Sequence, residues 1–150
     1  MTIGLFLDVD NTLTRGFIQQ CYARMVGVGD EHLEIESAYG SNNISSDEFG
    51  EKIIELFNRT SFCEQFACDN FTKIPLKDSA DLLLKCRSPT VEIYFVSSGP
   101  SYYVSKLAEK YKIPSENVLC SEYKFDRDGK LLDCNAVTPK QKHDFREDHA

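Results

Sequence analysis

Ile3-Gly4-Leu5-Phe6-Leu7 is an apolar run broken only by Gly4, and Asp8-Val9-Asp10-Asn11-Thr12-Leu13-Thr14 follows it directly. The run is short and stops at Asp8, and turn-forming residues come next. That pattern predicts a strand buried on both faces, as in parallel sheets. Alternate residues of an extended segment point the same way, so Asp8 and Asp10 are predicted to converge. Two carboxylates held together repel, and each is costly to desolvate without compensation. A hard cation is the usual remedy, and Mg²⁺ prefers carboxylate, carbonyl, water and phosphate oxygens. An isolated Asp-x-Asp is more often a solvated turn. Its place behind an apolar strand, with Asn-Thr-Leu-Thr after it, argues for a site.

Outward from this stretch, strands and helices alternate. Val91-Glu92-Ile93-Tyr94-Phe95-Val96 reads as a second buried strand and ends at Ser97-Ser98-Gly99-Pro100. Asn117-Val118-Leu119-Cys120 is a third, shorter one. Phe17, Ile18, Cys21, Tyr22, Met25 and Val26 form one helical stripe. Ser45 and Glu48 have capping-box spacing, and Phe49, Ile53, Ile54, Leu56 and Phe57 follow. After Pro75 a helix is expected with Ala80, Leu83 and Leu84 on one face. Another follows Pro100, with Tyr103, Val104, Leu107, Ala108 and Tyr111. Phe125 to Leu131 reads as a hairpin turning at Asp128-Gly129. Thr138-Pro139 opens a last helix. The alternation predicts an α/β fold with a parallel sheet. Residues 75–87 supply the one crossover helix that strands 1 and 2 need, so 15–74 are surplus and helical. They are expected to be a small cap over the end of strand 1, where ligands of open α/β sheets bind. The expected domains are therefore a core of 1–14 and 75–150 and a cap of 15–74.

Composition bounds the function. The chain has 150 residues, 17 Lys plus Arg against 24 Asp plus Glu, and a net charge of −7. Apolar residues make up 41% and charged residues 27%, which excludes wholesale disorder. A chain this long buries roughly 70% of its unfolded surface, enough for one core and at most a small satellite. An acidic chain is a poor non-specific binder of nucleic acid or anionic membrane, and neither is an expected partner. No apolar run approaches the ~20 residues of a membrane span. The N-terminus has no basic flank and meets Asp8 early, so no signal peptide is expected. Six cysteines, at 21, 63, 68, 86, 120 and 134, are read as reduced thiols in the cytoplasm rather than as disulfides or a zinc site.

Ser97-Ser98-Gly99 places small hydroxyls and backbone N–H groups at a strand-to-helix turn, which makes an anion cradle. If the two strands are neighbours, the Asp pair and the cradle form one site. Asp8-Val9-Asp10-Asn11-Thr12 resembles the DxDxT signature of the haloacid dehalogenase (HAD) superfamily of phosphohydrolases. Phe95-Val96-Ser97-Ser98-Gly99 is similar to its second motif. The likeness is closest to the phosphoserine phosphatase-like branch, and it implies a Rossmannoid sheet with a helical cap after strand 1. It implies that Asp8 is the nucleophile forming an aspartyl-phosphate and that Asp10 is the general acid–base. Asp8 and the Asp10 backbone carbonyl would bind Mg²⁺. Thr12, Ser97, Ser98 and Gly99 would contact the substrate, with Ser97 holding phosphoryl oxygens. The third motif is a Lys early in a later helix, with an apolar residue three positions on. Lys142 has Phe145 there and Lys140 has His143, so Lys142 is chosen.

The fourth motif, a strand followed by Gly-Asp or its equivalent, does not follow. Asp144 and Asp148 have DxxxD spacing but no strand before them and are read as one solvated helix face. Asp126 and Asp128 are read as hairpin-turn residues. The chain stops inside the expected Lys142 helix without a C-cap glycine, which is read first as a piece of a longer protein lacking its last core strand, the alternatives being a natural truncation whose metal site a partner chain completes and a chain that keeps only binding. The exposed sheet edge would invite a homo-oligomer. The leading function is hydrolysis of a small phosphorylated metabolite. The rival is a non-catalytic HAD-like module that binds a phosphate compound or a protein. Arg15, Gln19, Arg24 and Arg59 are candidate cap contacts to the substrate.

Overall fold

The computed structural model describes residues 1–150. In chain order its elements are β1 (Ile3–Leu7), α1 (Ile18–Met25), α2 (Gly29–Gly40), α3 (Ser46–Asn58), α4 (Glu64–Asp69), α5 (Asp78–Lys85), β2 (Val91–Pro100), α6 (Ser101–Lys110), β3 (Val118–Phe125), β4 (Leu131–Asn135) and α7 (Pro139–Asp148). Single turns of 3₁₀ helix occupy Phe71–Lys73 and Ser115–Asn117.

The sheet has four strands in the order β1-β2-β3-β4. β1, β2 and β3 run parallel, and β4 returns antiparallel through the hairpin. Gly129 at the turn has a φ of +80°, a backbone region that suits glycine. The β1–β2 register pairs Leu7 with Phe95, so the loop that begins at Asp8 and the last residues of β2, from Ser97, lie at the same end of the sheet.

β1 departs from expectation. It was predicted to be buried on both faces, yet Ile3 is 60% exposed and Gly4 is exposed as well. The reason is position: β1 pairs only with β2 and is an edge strand, and what covers it is partial. Phe6 stacks on Tyr94 with ring centroids 4.8 Å apart, and Tyr94 meets Phe145 and His149 of the α7 end. Two other expectations need adjusting. β2 and β3 run further than predicted, through Pro100 and Phe125. In α5, Ala80 and Leu84 are buried, but Leu83 and its neighbour Leu82 are exposed, because little covers the outer side of this crossover helix.

Helices α3, α6 and α7 follow their sequence signals, whereas Phe17, expected on the α1 stripe, is the exposed N-cap residue of that helix. Ser45 caps α3 by accepting the Glu48 N–H at 3.1 Å. Thr138 and Gln141 form a reciprocal capping box on α7, with Pro139 in the first turn. Helices α1 to α4 fill the interval between β1 and α5. The chain leaves and re-enters at one place: Thr14 and Leu76 form an antiparallel bridge, and the Arg15 N–H donates to the Pro75 carbonyl at 2.9 Å. The helical segment is also tied to the hairpin. Asn58 exchanges hydrogen bonds with the Leu131 backbone, and Lys130 Nζ donates to the Thr60 and Phe62 carbonyls.

One continuous apolar core joins these parts. Phe62 is fully buried and touches Tyr22, Phe57, Tyr102 and Phe125 edge-on or tilted, with centroids 4.7–6.3 Å apart. That aromatic cluster draws on α1, α3, α6 and the hairpin together. No helix is long and apolar enough to cross a membrane. All six cysteines are free thiols.

Candidate active site

Val9 is fully buried, and its carbonyl accepts from the Leu13 N–H at 2.9 Å and the Thr12 N–H at 3.1 Å. These bonds curl the chain after β1 into one tight turn. Asn11 takes a φ of +58°, which Asn tolerates better than most residues. The turn leaves Asp8 exposed at the sheet end and Asp10 half-buried. Asp8 is held from both sides: Oδ1 accepts the Val9 N–H at 2.9 Å, and Oδ2 accepts the Thr12 hydroxyl at 2.7 Å. Thr12 thus orients Asp8.

Asp10 points elsewhere. Its Oδ1 accepts the Ile18 N–H at 2.8 Å, at the start of α1. Phe17 occupies the N-cap position of that helix and has no side chain able to cap it, so the Asp10 carboxylate takes an orphan N–H at the positive helix end. Burial raises the Asp10 carboxyl above its ordinary value, the Ile18 N–H opposes this, Asp8 adds to it, and Lys142 lowers it. The carboxyl therefore keeps its proton more readily than a free Asp. The Asp10 backbone carbonyl accepts no hydrogen bond within the chain.

The C-terminal stretch of β2 meets this loop directly. Ser97 is fully buried, and its Oγ accepts the Gly99 N–H at 3.0 Å and the Asp10 N–H at 3.3 Å. Both contacts are accepted, so the hydroxyl proton remains available. Gly99 lies against the aspartate: a Cβ there would stand 3.2 Å from Asp10 Cβ and 3.1 Å from Ser97 Oγ. A side chain at 99 would push the two segments apart. Ser98 is exposed, and its carbonyl accepts the Ser121 hydroxyl at 2.8 Å.

The two lysines considered for the third motif part ways. Lys140 is mostly exposed and pairs with Asp144 at 2.6 Å along the same helix. Lys142 is half-buried, and its charge acts on Asp10. Phe145, three residues on, meets Tyr94 of β2 edge-on, which seats α7 beside the strand that carries Ser97. The structure thus brings Asp8, Asp10, Ser97 and Gly99 into one neighbourhood with Thr12 behind Asp8 and Lys142 within electrostatic reach.

The oxygens around Asp8 suit Mg²⁺. The Asp8 carboxylate and the Asp10 carbonyl are hard donors, and Mg²⁺ commonly binds one or two protein ligands plus waters and substrate phosphate. No cluster of three or more His, Cys, Asp or Glu side chains able to hold a metal occurs anywhere in the chain.

Beside this point opens a cavity of about 400 Å³, with Asp10 and Ser98 among its lining. The wall opposite comes largely from α2 and α3: His32, Leu33, Glu36, Tyr39 and Phe49. Sequence reading did not find this wall. Only His32 of α2 is buried, so the helix shows no apolar stripe, and its one signal is the spacing of His32, Glu36 and Tyr39. Of the four expected cap contacts, only Gln19 lines the cavity. Arg15 pairs with Asp78, Arg59 pairs with Glu31 at 3.5 Å, and Arg24 lies outside the lining.

His32 is 1% exposed, with Nδ1 and Nε2 against the Gln20 and Gln19 side-chain oxygens. Gln20 donates its amide to the Gly29 carbonyl, so its oxygen must face the ring, and Nδ1 carries the proton. The Gln19 amide sits between His32 and the hydroxyls of Tyr102 and Tyr123, which donate as readily as they accept. Burial pushes His32 down to about 4.

No protein-family model matches the sequence, and no curated protein matches it. Solved structures do. A substrate-bound phosphoserine phosphatase superposes with a TM-score of 0.78 at 19% identity, over 100% of this chain and 71% of its own. A HAD family hydrolase from Salmonella enterica subsp. enterica serovar Typhi gives 0.74 at 15% identity, over 99% of this chain and 51% of its own. A phosphoserine phosphohydrolase-like protein from Francisella tularensis subsp. tularensis SCHU S4 gives 0.72 at 19% identity, over 100% of this chain and 74% of its own. The chain therefore has the HAD-like α/β fold, in the form found in phosphoserine phosphatase-like hydrolases, as the two strand-end motifs led one to expect.

Proposed function

We propose that this chain is a Mg²⁺-dependent phosphomonoester hydrolase acting on a small phosphorylated metabolite through an aspartyl-phosphate. The observation that carries the reading is the junction of the two strand ends, where Ser97 Oγ accepts the Asp10 N–H and Gly99 lies against Asp10 Cβ. In this reading an Asp8 carboxylate oxygen attacks phosphorus and the P–O bond to the alcohol breaks. Asp10, whose burial favours the protonated acid, gives its proton to the departing oxygen. Asp10 then takes a proton from the water that attacks the aspartyl-phosphate, which restores Asp8 and frees phosphate. Ser97 and the exposed Ser98 hydroxyl are assigned to the phosphoryl oxygens, Gly99 to the close approach, and Lys142 to the charge developing there. The Asp8 carboxylate and the Asp10 carbonyl would hold Mg²⁺, which when bound offsets the negative charge of the phosphoryl group.

Residues 15–74 are assigned as the cap, a reading supported by the bridge between Thr14 and Leu76 at its base. Six free thiols fit a reducing compartment, and we assign the protein to the cytoplasm. The unpaired edge of β1 supports self-association into a homo-oligomer.

The test is hydrolysis of phenyl phosphate at millimolar Mg²⁺ by wild type and Asp8→Asn. The expected outcome is Mg²⁺-dependent turnover that falls by about a thousandfold or more in the variant. Turnover by neither protein would favour the second reading, a phosphate-binding module without catalysis. One observation speaks for that alternative: no group of three or more His, Cys, Asp or Glu side chains able to hold a metal forms here.

A further inference from the structure

The cavity beside Asp10 has an unusual charge pattern for a pocket meant to receive a phosphorylated molecule. None of the 15 residues lining it is Lys or Arg. Its acidic groups are Asp10 and Glu36, which line it together. His32 adds no positive charge at neutral pH, because burial pushes it down to about 4. Of the arginines of the helical segment, Arg15 and Arg59 are paired with Asp78 and Glu31, and Arg24 lies outside the lining. The remainder of the wall is largely apolar. Tyr39 and Phe49 stack with centroids 4.6 Å apart, Leu33 lies on the same wall, and Phe17, 60% exposed, contributes an open ring.

We propose that this cavity takes the leaving alcohol of the substrate, that the alcohol carries no negative charge and is largely apolar, and that Glu36 turns away alcohols bearing a carboxylate or a second phosphate. The proposal rests on the phosphatase reading of Asp8 and Asp10 and names the substrate class for it. An added anion would be taken out of water beside Glu36 with no cation to meet it. An aromatic or alkyl body would instead cover Tyr39, Phe49 and Leu33 and gain by burial. Selection here comes as much from the repulsive carboxylate as from the apolar wall.

The experiment separates binding from turnover by using phosphonates, which are not hydrolysed. Benzylphosphonate and 4-carboxybenzylphosphonate differ only by a carboxylate. Each is titrated into the full chain at millimolar Mg²⁺ by calorimetry. Benzylphosphonate is expected to bind about tenfold more tightly, and Glu36→Gln is expected to narrow that ratio about fivefold. A ratio near one or reversed in wild type, an unchanged ratio in the variant, or no saturable binding of benzylphosphonate would each overturn the proposal. Hydrolysis is followed in parallel with phenyl phosphate and 4-carboxyphenyl phosphate. Loss of turnover with the binding preference intact would overturn the phosphatase reading alone and leave the specificity of the cavity standing.

Discussion

Asp8 and Asp10 are two positions apart and live in different surroundings. Asp8 is exposed and held by Thr12 and the Val9 N–H, whereas Asp10 is half-buried against the first amide of α1. In the proposed reading, environment more than residue type separates the group that attacks from the group that carries a proton. His32 makes the same point away from the strand ends. Its folded value of about 4 lies below the ordinary 6.5, and the cause is burial. As pH falls through 6.5 the unfolded chain takes up a proton that the folded chain refuses until about 4. Stability from this group is therefore present above that window and lost within it. Over the whole window the loss is on the order of 3 kcal/mol. NMR titration of the His32 ring should give a midpoint near 4, and a midpoint near 6.5 would contradict the buried neutral ring. The aspartates were legible because they follow an apolar run at a spacing that means something. His32 and Glu36 were not, because nothing local ties a mid-helix His or Glu to a cavity wall made by another part of the chain.

At the level of elements, α7 shows how a surface helix holds a side chain at a site. No residue of α7 is fully buried, so its seat depends on Phe145 and on its first turn. Thr138 accepts the Gln141 N–H, and its carbonyl accepts the Lys142 N–H at 3.1 Å. Thr138→Ala should cost about 1 kcal/mol of stability, read by urea unfolding, and should lower phosphatase turnover by loosening the turn that carries Lys142. A variant as stable and as active as wild type would remove Thr138 from this role. Helices with explicit caps, α3 and α7, were readable from Ser45–Glu48 and Thr138–Pro139. α2 was not, since Leu33 and Glu36 look outward to the cavity and its interior contact is the polar His32. β1 was found in the right place with the wrong burial. Hydropathy reports that Ile3 to Leu7 suits a sheet interior, but not whether a strand lies on both sides of it.

Across the whole molecule, Phe62 is the residue through which the helical segment, α6 and the hairpin meet. Deleting its ring should leave a cavity and cost about 3–5 kcal/mol. If the aromatic cluster couples the parts as its contacts indicate, Phe62→Ala should still unfold in a single transition, followed by circular dichroism and tyrosine fluorescence together. Two separated transitions would mean that helices α1 to α4 fold on their own. The same cluster bears on how a molecule reaches Asp10. Tyr22 of α1 packs edge-on against both Tyr102 of α6 and Phe62, so α1 cannot swing from the sheet without opening the interior. Helix α2 is anchored to α3 instead, through Tyr39 stacked on Phe49 and the buried His32 edge-on to Phe57. Access to Asp10 thus lies between an α1 fixed to the interior and a wall that α2 shares with α3.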